Sequence, residues 1–344
     1  MTFRYIGSKA RFTEDIVKHV GKPTSDGGRF VDVFCGTGAV AEEAHKLGWN
    51  VWINDHLISA VTMASARMMS LNHAQFLNVG GYALAIETLN NVPGINGVIW
   101  REYSPASLKL CGIERKYFTE DNAKKIDGIR KVISEWYSSG KIDRLEKDIL
   151  IADLLSAVNR VANIAGTYGC FLSKWQKQAL SEIKMKGRDF NDSESLVEVT
   201  NLDAFELEVT ENDVVYLDPP YTKRQYASYY HILETITIYD NPTVEGVSGL
   251  RPWKHKASVF CYKRKALRAL VELITKLKSK KVILSYSCEG HVDLSELVTE
   301  LELTGSVNLF PLTSIGRYRP NKVASSNGDT VTEYLVEYIG ASGF

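Results

Sequence analysis

Short apolar runs that end in glycine or acidic turns mark strands at both ends of the chain, and a long stretch of helical periodicity separates them. The run Arg29-Phe30-Val31-Asp32-Val33-Phe34 predicts a buried strand that enters the turn Cys35-Gly36-Thr37-Gly38. Residues 39–47 have helical character and stop at Gly48, a residue type that commonly closes helices. A second run, Val51-Trp52-Ile53, ends in Asn54-Asp55. Strand, turn, helix, strand is the opening of a parallel, doubly wound sheet. From about residue 57 to 188 the pattern is mostly helical, and Leu145, Ile149, Ala152, Leu155 and Val158 mark one face of a long amphipathic helix. Strand signals return at 196–199, 214–217 and 281–286, the last after a helix over 266–277. In the tail, 306–310 and 330–339 read as two strands joined by a loop containing Asn327-Gly328-Asp329. The elements predict one α/β domain made from both chain ends, 1–84 with 189–344, interrupted by a mainly helical insertion, 85–188.

Length agrees with that division, since 344 residues at roughly 150 per domain make about two. With 44% hydrophobic and 24% charged residues the composition excludes disorder, collagen and coiled coil. No apolar run approaches the ~20 residues of a membrane helix, and the N-terminus lacks the apolar core of a secretory signal. The five cysteines are scattered without a C-x-x-C pair, which suits reduced thiols in a cytoplasm. Net charge is zero, yet the charge is blocked: ten acids and no Lys or Arg from Asp189 to Asp218, then eleven basic residues against Glu272 alone from Arg251 to Lys281. Residues 101–188 hold seventeen basic and eleven acidic side chains. A neutral total can therefore carry a basic face for a polyanion, although each block also reads as a solvated helix face.

Gly36-Thr37-Gly38-Ala39-Val40-Ala41 fits G-x-G-x-x-G/A after a strand, and Asp55 lies about 20 residues on, at the end of the next strand. Glycines there allow close backbone approach to a nucleotide, and the acid receives ribose hydroxyls. This pattern alone leaves a dinucleotide, another adenosine-containing cofactor or a ligand-free tight turn open. Asp32 and Phe34 narrow it: Asp32-Val33-Phe34-Cys35-Gly36-Thr37-Gly38 resembles the D-x-F-x-G-x-G motif of S-adenosylmethionine-dependent DNA methyltransferases, in which the phenylalanine packs beside the cofactor.

Asp218-Pro219-Pro220-Tyr221 follows the apolar strand 214–217, so it emerges at the carboxyl end of a sheet, where open α/β folds bind ligands. An exocyclic amine is a poor nucleophile because its lone pair is delocalised into the ring. The Asp218 carboxylate and Pro219 carbonyl can together accept hydrogen bonds from such an amine, since proline keeps its acceptor while fixing φ, and Tyr221 can stack on a base taken out of a duplex. The bland alternative is a proline-stiffened loop with a surface acid.

These motifs and their order resemble the Dam-type, alpha-group DNA adenine N6-methyltransferases: a cofactor motif near the N-terminus, a target-recognition insertion, then the catalytic motif. The resemblance implies a Rossmann-like methyltransferase sheet and S-adenosylmethionine as cofactor. Phe3-Arg4-Tyr5-Ile6-Gly7-Ser8-Lys9 is similar to the family's N-terminal motif, which implies cofactor contacts at Tyr5, Gly7 and Lys9, with Ser8 in place of a common glycine. By the same resemblance Asp32, Phe34, Gly36, Gly38, Asp55 and Asp218 line the cofactor, and Asn201-Leu202-Asp203-Ala204-Phe205 holds its adenine through Asp203. Ser325-Ser326-Asn327-Gly328 with Glu333-Tyr334-Leu335-Val336 is similar to the C-terminal hairpin, and 163–175 to a segment of restriction-associated methylases.

The implied reaction is methyl transfer to adenine N6 in double-stranded DNA, with no metal and no catalytic cysteine, since the sulfonium is already a good leaving group. Tyr168, Lys174, Trp175 and Lys177 in the insertion and Lys254, Lys256, Lys263 and Arg264 in the basic block are the expected DNA contacts. A bacterial cytoplasmic, nucleoid-associated monomer, paired or not with a restriction endonuclease, is expected. The rivals are a nicotinamide dehydrogenase, which leaves 218–221 without a role, a methyltransferase acting on RNA or protein, and a non-catalytic DNA-binding relative.

Overall fold

The computed structural model describes residues 3–7, 9–23, 25–190, 193, 195–312 and 332–341. Ser8, Ser325 to Gly328 and the 327–329 loop of the sequence reading lie outside the described residues. The chain forms two compact units: a sheet unit of Gly7–Ser65, Ser193–Tyr226 and Lys256–Phe344, and a helical unit of Met1–Ile6, Ala66–Asp192 and Ala227–His255. The helical unit thus takes in 66–84 and 227–255 as well as 85–188.

The sheet unit has seven strands: β1 (Phe30–Asp32), β2 (Val51–Asn54), β3 (Val197–Thr200), β4 (Val214–Leu217), β5 (Lys281–Ser287), β6 (Gly305–Leu312) and β7 (Glu333–Gly340). Their order is β3-β2-β1-β4-β5-β7-β6. The first five are parallel, whereas β7 is antiparallel to both β5 and β6. This is the expected Rossmann-like methyltransferase sheet, with the tail hairpin turning it mixed. Parallel strands covered on both faces read as continuous apolar runs, and β1, β2 and β4 are buried at every position. Val31, Val33, Val215, Leu217, Val282 and Leu284 pack with Leu270 and Leu273 of the helix Lys263–Lys276 and with Leu297 and Leu301 of the helix Leu294–Glu302. Edge strand β3 is half-buried or exposed throughout.

In the helical unit the stretch 145–158 lies in the helix Arg144–Val161, opened by a capping box between Asp143 and Glu146. Its predicted face is buried at Ile149, Ala152, Leu155 and Val158, but so are Leu150, Ile151, Leu154 and Ala157. It is a central helix covered on nearly all sides rather than an amphipathic surface helix. Arg4 donates to the carbonyls of Asn159, Ala162 and Ile164, occupying acceptors that the helix end leaves open. Among the described residues no helix is long and apolar enough to cross a membrane.

Candidate active site

The site forms where strand order reverses, between the carboxyl ends of β1 and β4, the general ligand position of open α/β sheets. Asp32 is paired in register with Tyr216, and Val33 N–H still bonds to the Tyr216 carbonyl at 3.1 Å. The chain then enters the glycine turn, where Gly36 and Gly38 have φ of 52° and 79°. A Cβ on Gly38 would lie 2.7 Å from both Cα and Cβ of Ala64. Gly38→Ala is therefore opposed by φ and by space together, and overpacking of this kind costs ~1–3 kcal/mol. The variant is expected to melt at a lower temperature and to bind cofactor more weakly. Wild-type values in thermal unfolding and calorimetry together would show that the turn tolerates a side chain.

Asp55 braces this turn. Its Oδ2 accepts the Gly36 N–H and its Oδ1 the Leu57 N–H, both at 3.0 Å, the latter just before the helix Ile58–Met68. Asp55 is also the carboxylate that the sequence pattern assigns to ribose hydroxyls. Asn54, buried beside it, accepts from Leu202 N–H and Thr200 Oγ1 and donates to the Val33 and Leu202 carbonyls. One amide thus fastens β1 to the segment leaving β3. Asp203 in that segment is exposed and caps the short turn Ala204–Glu206 through Phe205 N–H. The neighbouring Phe205 ring stacks on Phe260 with centroids 6.0 Å apart, and Phe34 meets Phe260 edge-on at 5.6 Å. Phe34, Phe205 and Phe260 form an aromatic corner in which Phe260 had no sequence signal beyond an ordinary core residue.

Beyond β4, Asp218 is mostly buried, and its Oδ1 lies 3.3 Å from Lys9 Nζ. The same ammonium is 3.1 Å from Glu333 Oε2 and 5.3 Å from the Tyr221 ring centroid. Burial opposes the charge on Lys9, but Asp218, Tyr221 and Glu333 outweigh it and raise its pKa. Burial pushes the Asp218 carboxyl up to about 6; Lys9 opposes the shift and Glu333 adds to it. Pro219 is buried and Pro220 half-buried. Tyr221, half-buried, meets Tyr286 of β5 edge-on at 5.7 Å, and its carbonyl accepts the His291 N–H at 2.8 Å. Asp32 is buried, and its Oδ1 has no hydrogen-bond partner among the described residues. Burial first, then the charges of Asp218 and Asp55, hold its pKa well above the carboxylate range. Such a site calls for a ligand rich in donors or positive charge.

Of the other expected cofactor residues, Gly7 shares the sheet unit with Lys9, and a Cβ there would come 2.9 Å from the Tyr226 hydroxyl. Tyr5 falls in the helical unit, its ring stacked on Tyr230 at 4.2 Å. The expected DNA contacts divide between the units. In the helical unit Lys174, Lys177 and Lys254 are exposed and Trp175 is half-buried. Tyr168 is a correction: its side chain is wholly buried, so it fills the core of that unit instead of meeting DNA. In the sheet unit Lys263 and Arg264 are exposed on the first turn of their helix, while Lys256 donates to the His56 carbonyl at 2.8 Å. Lys223 and Arg224, passed over in the sequence, are exposed directly after Tyr221. Buried Gln225 holds that loop by exchanging two hydrogen bonds with the Ser258 backbone.

A family model of D12 class N6 adenine-specific DNA methyltransferases matches residues 5–293, from the N-terminal motif through the tetrapeptide to the segment after β5. The chain belongs to this family. Among relatives of this D12 class chain, the type II methyltransferase M.FokI of Planomicrobium okeanokoites is 34% identical over 310 residues, 88% of this chain and 47% of that protein. The modification methylase StsI of Streptococcus sanguinis is 34% identical over 318 residues, 89% and 47%. The type II methyltransferase M.NlaIII of Neisseria lactamica is 31% identical over 337 residues, 96% and 97%. The D12 chain therefore spans about half the length of the first two relatives and nearly all of the third.

Proposed function

We propose that the chain transfers a methyl group from S-adenosylmethionine to the N6 amine of adenine within a specific sequence of double-stranded DNA. The observation that carries this reading is the placement of Asp218-Pro219-Pro220-Tyr221 at the end of β4, beside Asp32 at the end of β1. The donor set suits the cofactor. S-adenosylmethionine offers an ammonium, ribose hydroxyls and an adenine amine to the carboxyl groups of Asp32, Asp55 and Asp203, and Asp32 has a buried oxygen without a partner among the described residues. The pyrophosphate of a nicotinamide dinucleotide brings further negative charge toward Asp55 and Asp218, whose charges already disfavour ionisation of Asp32. Electrostatics thus disfavours the dehydrogenase.

When bound, the cofactor supplies a methyl carbon on a sulfonium that departs as a neutral thioether. The chain's own residues prepare the amine. Asp218 and the Pro219 carbonyl accept its two N–H groups as the nitrogen becomes tetrahedral, which concentrates the lone pair on nitrogen. Asp218, with its pKa pushed up to about 6, can take the proton the nitrogen sheds and release it to solvent. Tyr221 offers a ring to a flipped base. Mass spectrometry of nucleosides from DNA incubated with the purified protein and S-adenosylmethionine tests this: N6-methyladenine is expected, and DNA left unmethylated across a plasmid library overturns it.

The relatives' names, type II methyltransferase and modification methylase, support a role as the modifying half of a restriction pair. The helical residues 85–188 are the proposed reading head, with exposed Lys174 and Lys177 and half-buried Trp175 toward DNA, and Lys254, Lys256, Lys263 and Arg264 adding affinity. Exchanging 85–188 for the segment of a relative with another target is expected to move the target sequence with it. An active chimera that still methylates the parental sequence would place recognition elsewhere, with the loop after Tyr221 next in line.

A further inference from the structure

Lys9 is a single ammonium shared by two carboxylates, and the proposed chemistry uses only one of them. Its side chain is 4% exposed, those of Asp218 and Glu333 16% and 14%. Glu333 reaches this place through topology. Because β7 runs antiparallel to β5, its first residue stands opposite Ser287 at the last position of β5. That is the same edge of the sheet from which Asp218 leaves β4. Its distance from Lys9 in sequence, 324 residues, hides the contact from any local pattern.

We propose that Glu333 is a positioning residue that holds the Lys9 ammonium, so that the Asp218 carboxylate keeps an oxygen for the amine it orients. The role rests on the methyltransferase reading above. An ammonium has three donors and no acceptor, and a buried one takes whatever anion is near. With Glu333 present, Lys9 divides its hydrogen bonds and charge between two acceptors. With a neutral side chain at 333, Lys9 turns wholly to Asp218, and a tight ion pair competes with the amine for the same lone pairs.

The sign of the effect follows from the charges around Asp218. Lys9 stabilises its ionised form, while Glu333 of β7 disfavours it. The charges of Asp218 and of Asp55, beyond β2, in turn disfavour ionisation of Asp32 at the end of β1. Tyr216 and Tyr221 complete the surroundings as neutral phenols whose pKa values burial raises, with Arg224 acting on Tyr221. Removing the Glu333 charge therefore lowers the pH at which Asp218 loses its proton, and strengthens its pairing with Lys9. These groups titrate as a coupled set, so the observable is an apparent value for the cluster.

Two readouts test this. In the first, Glu333→Gln is expected to lower kcat about tenfold on the pH plateau and to move the acid limb of the rate profile down by at least half a unit. Affinity for S-adenosylmethionine is expected to stay within about threefold. Glu333→Asp keeps the charge, so most of the rate and the wild-type acid limb should return. The second readout needs no turnover: infrared titration of the carboxyl band that Asp218→Asn removes is expected to show a lower apparent pKa in the Gln variant. If the Gln variant keeps both the wild-type titration and the wild-type rate profile, the role is overturned. It is equally overturned if cofactor affinity and melting temperature collapse in step with rate in both variants. A wild-type protein that titrates as described but methylates no DNA would refute the function and leave this electrostatic assignment standing.

Discussion

Asp218→Ala is expected to slow the proposed methyl transfer by at least ~10²-fold while leaving DNA binding in place. The carboxylate accepts from an amine whose nitrogen gains charge only as the methyl group arrives, so its value is concentrated in the transition state. Loss of one preorganised polar group of that kind costs ~10²–10³ in rate. The structure adds a pH signature. Burial raises the Asp218 carboxyl to about 6, and the ionised form is both the stronger acceptor and the one able to take the amine's proton, so wild-type activity is expected to fall as pH drops through about 6. The residual activity of the Ala variant should lack that limb. Lys9 retains Glu333 as a partner in the variant, 3.1 Å away, so no buried ammonium is stranded. Single-turnover rates between pH 5 and 8, with DNA affinity by fluorescence anisotropy, make the measurement. Near-normal turnover by a folded Ala variant would remove Asp218 from the chemistry.

Asp55→Ala is the second large effect. A lost charged acceptor is worth ~1.5–3 kcal/mol, which is roughly ten- to a hundredfold in affinity for S-adenosylmethionine. A carboxylate at a strand end contributes little to an apolar core. The structure qualifies that, because Asp55 accepts the Gly36 and Leu57 N–H groups. Losing an acceptor near a helix start typically costs ~1 kcal/mol, so a modest fall in melting temperature should accompany the weaker binding. Asp55→Asn separates the two effects: it keeps one oxygen for the backbone but loses the charge and half of the acceptor capacity. Calorimetry well below the melting temperature of each variant decides. Unchanged cofactor affinity in both would put the ribose elsewhere.

Much of this site could be read along the chain because its parts are local. Asp32 to Gly38 and Asp218 to Tyr221 each join a strand to the turn that follows it, and strand and turn signals act over a few residues. Asn54 and Asp55 were legible for the same reason, as the polar end of an apolar run. Tyr168 misled because an aromatic next to lysines and a tryptophan looks the same whether it faces solvent or core. Its burial depends on helices distant in sequence. The all-round burial of Arg144–Val161 escaped the pattern likewise, since periodicity marks the most apolar face but does not count the neighbours that cover the others.

By itself the sequence determined the class of the fold, the two turns to which the chemistry is proposed to belong and the acidic residues at three strand ends. Tertiary structure alone decided which of these meet. Strand order placed the ends of β1 and β4 side by side, although residues 32 and 218 are far apart in the chain. Reversal of β7 brought Glu333 to the same edge, where it shares Lys9 with Asp218. The physical reason is range. Backbone propensity and hydrophobic periodicity are local, whereas electrostatic balance at a buried site is a sum over every charge within a few ångströms, whatever its position in the chain.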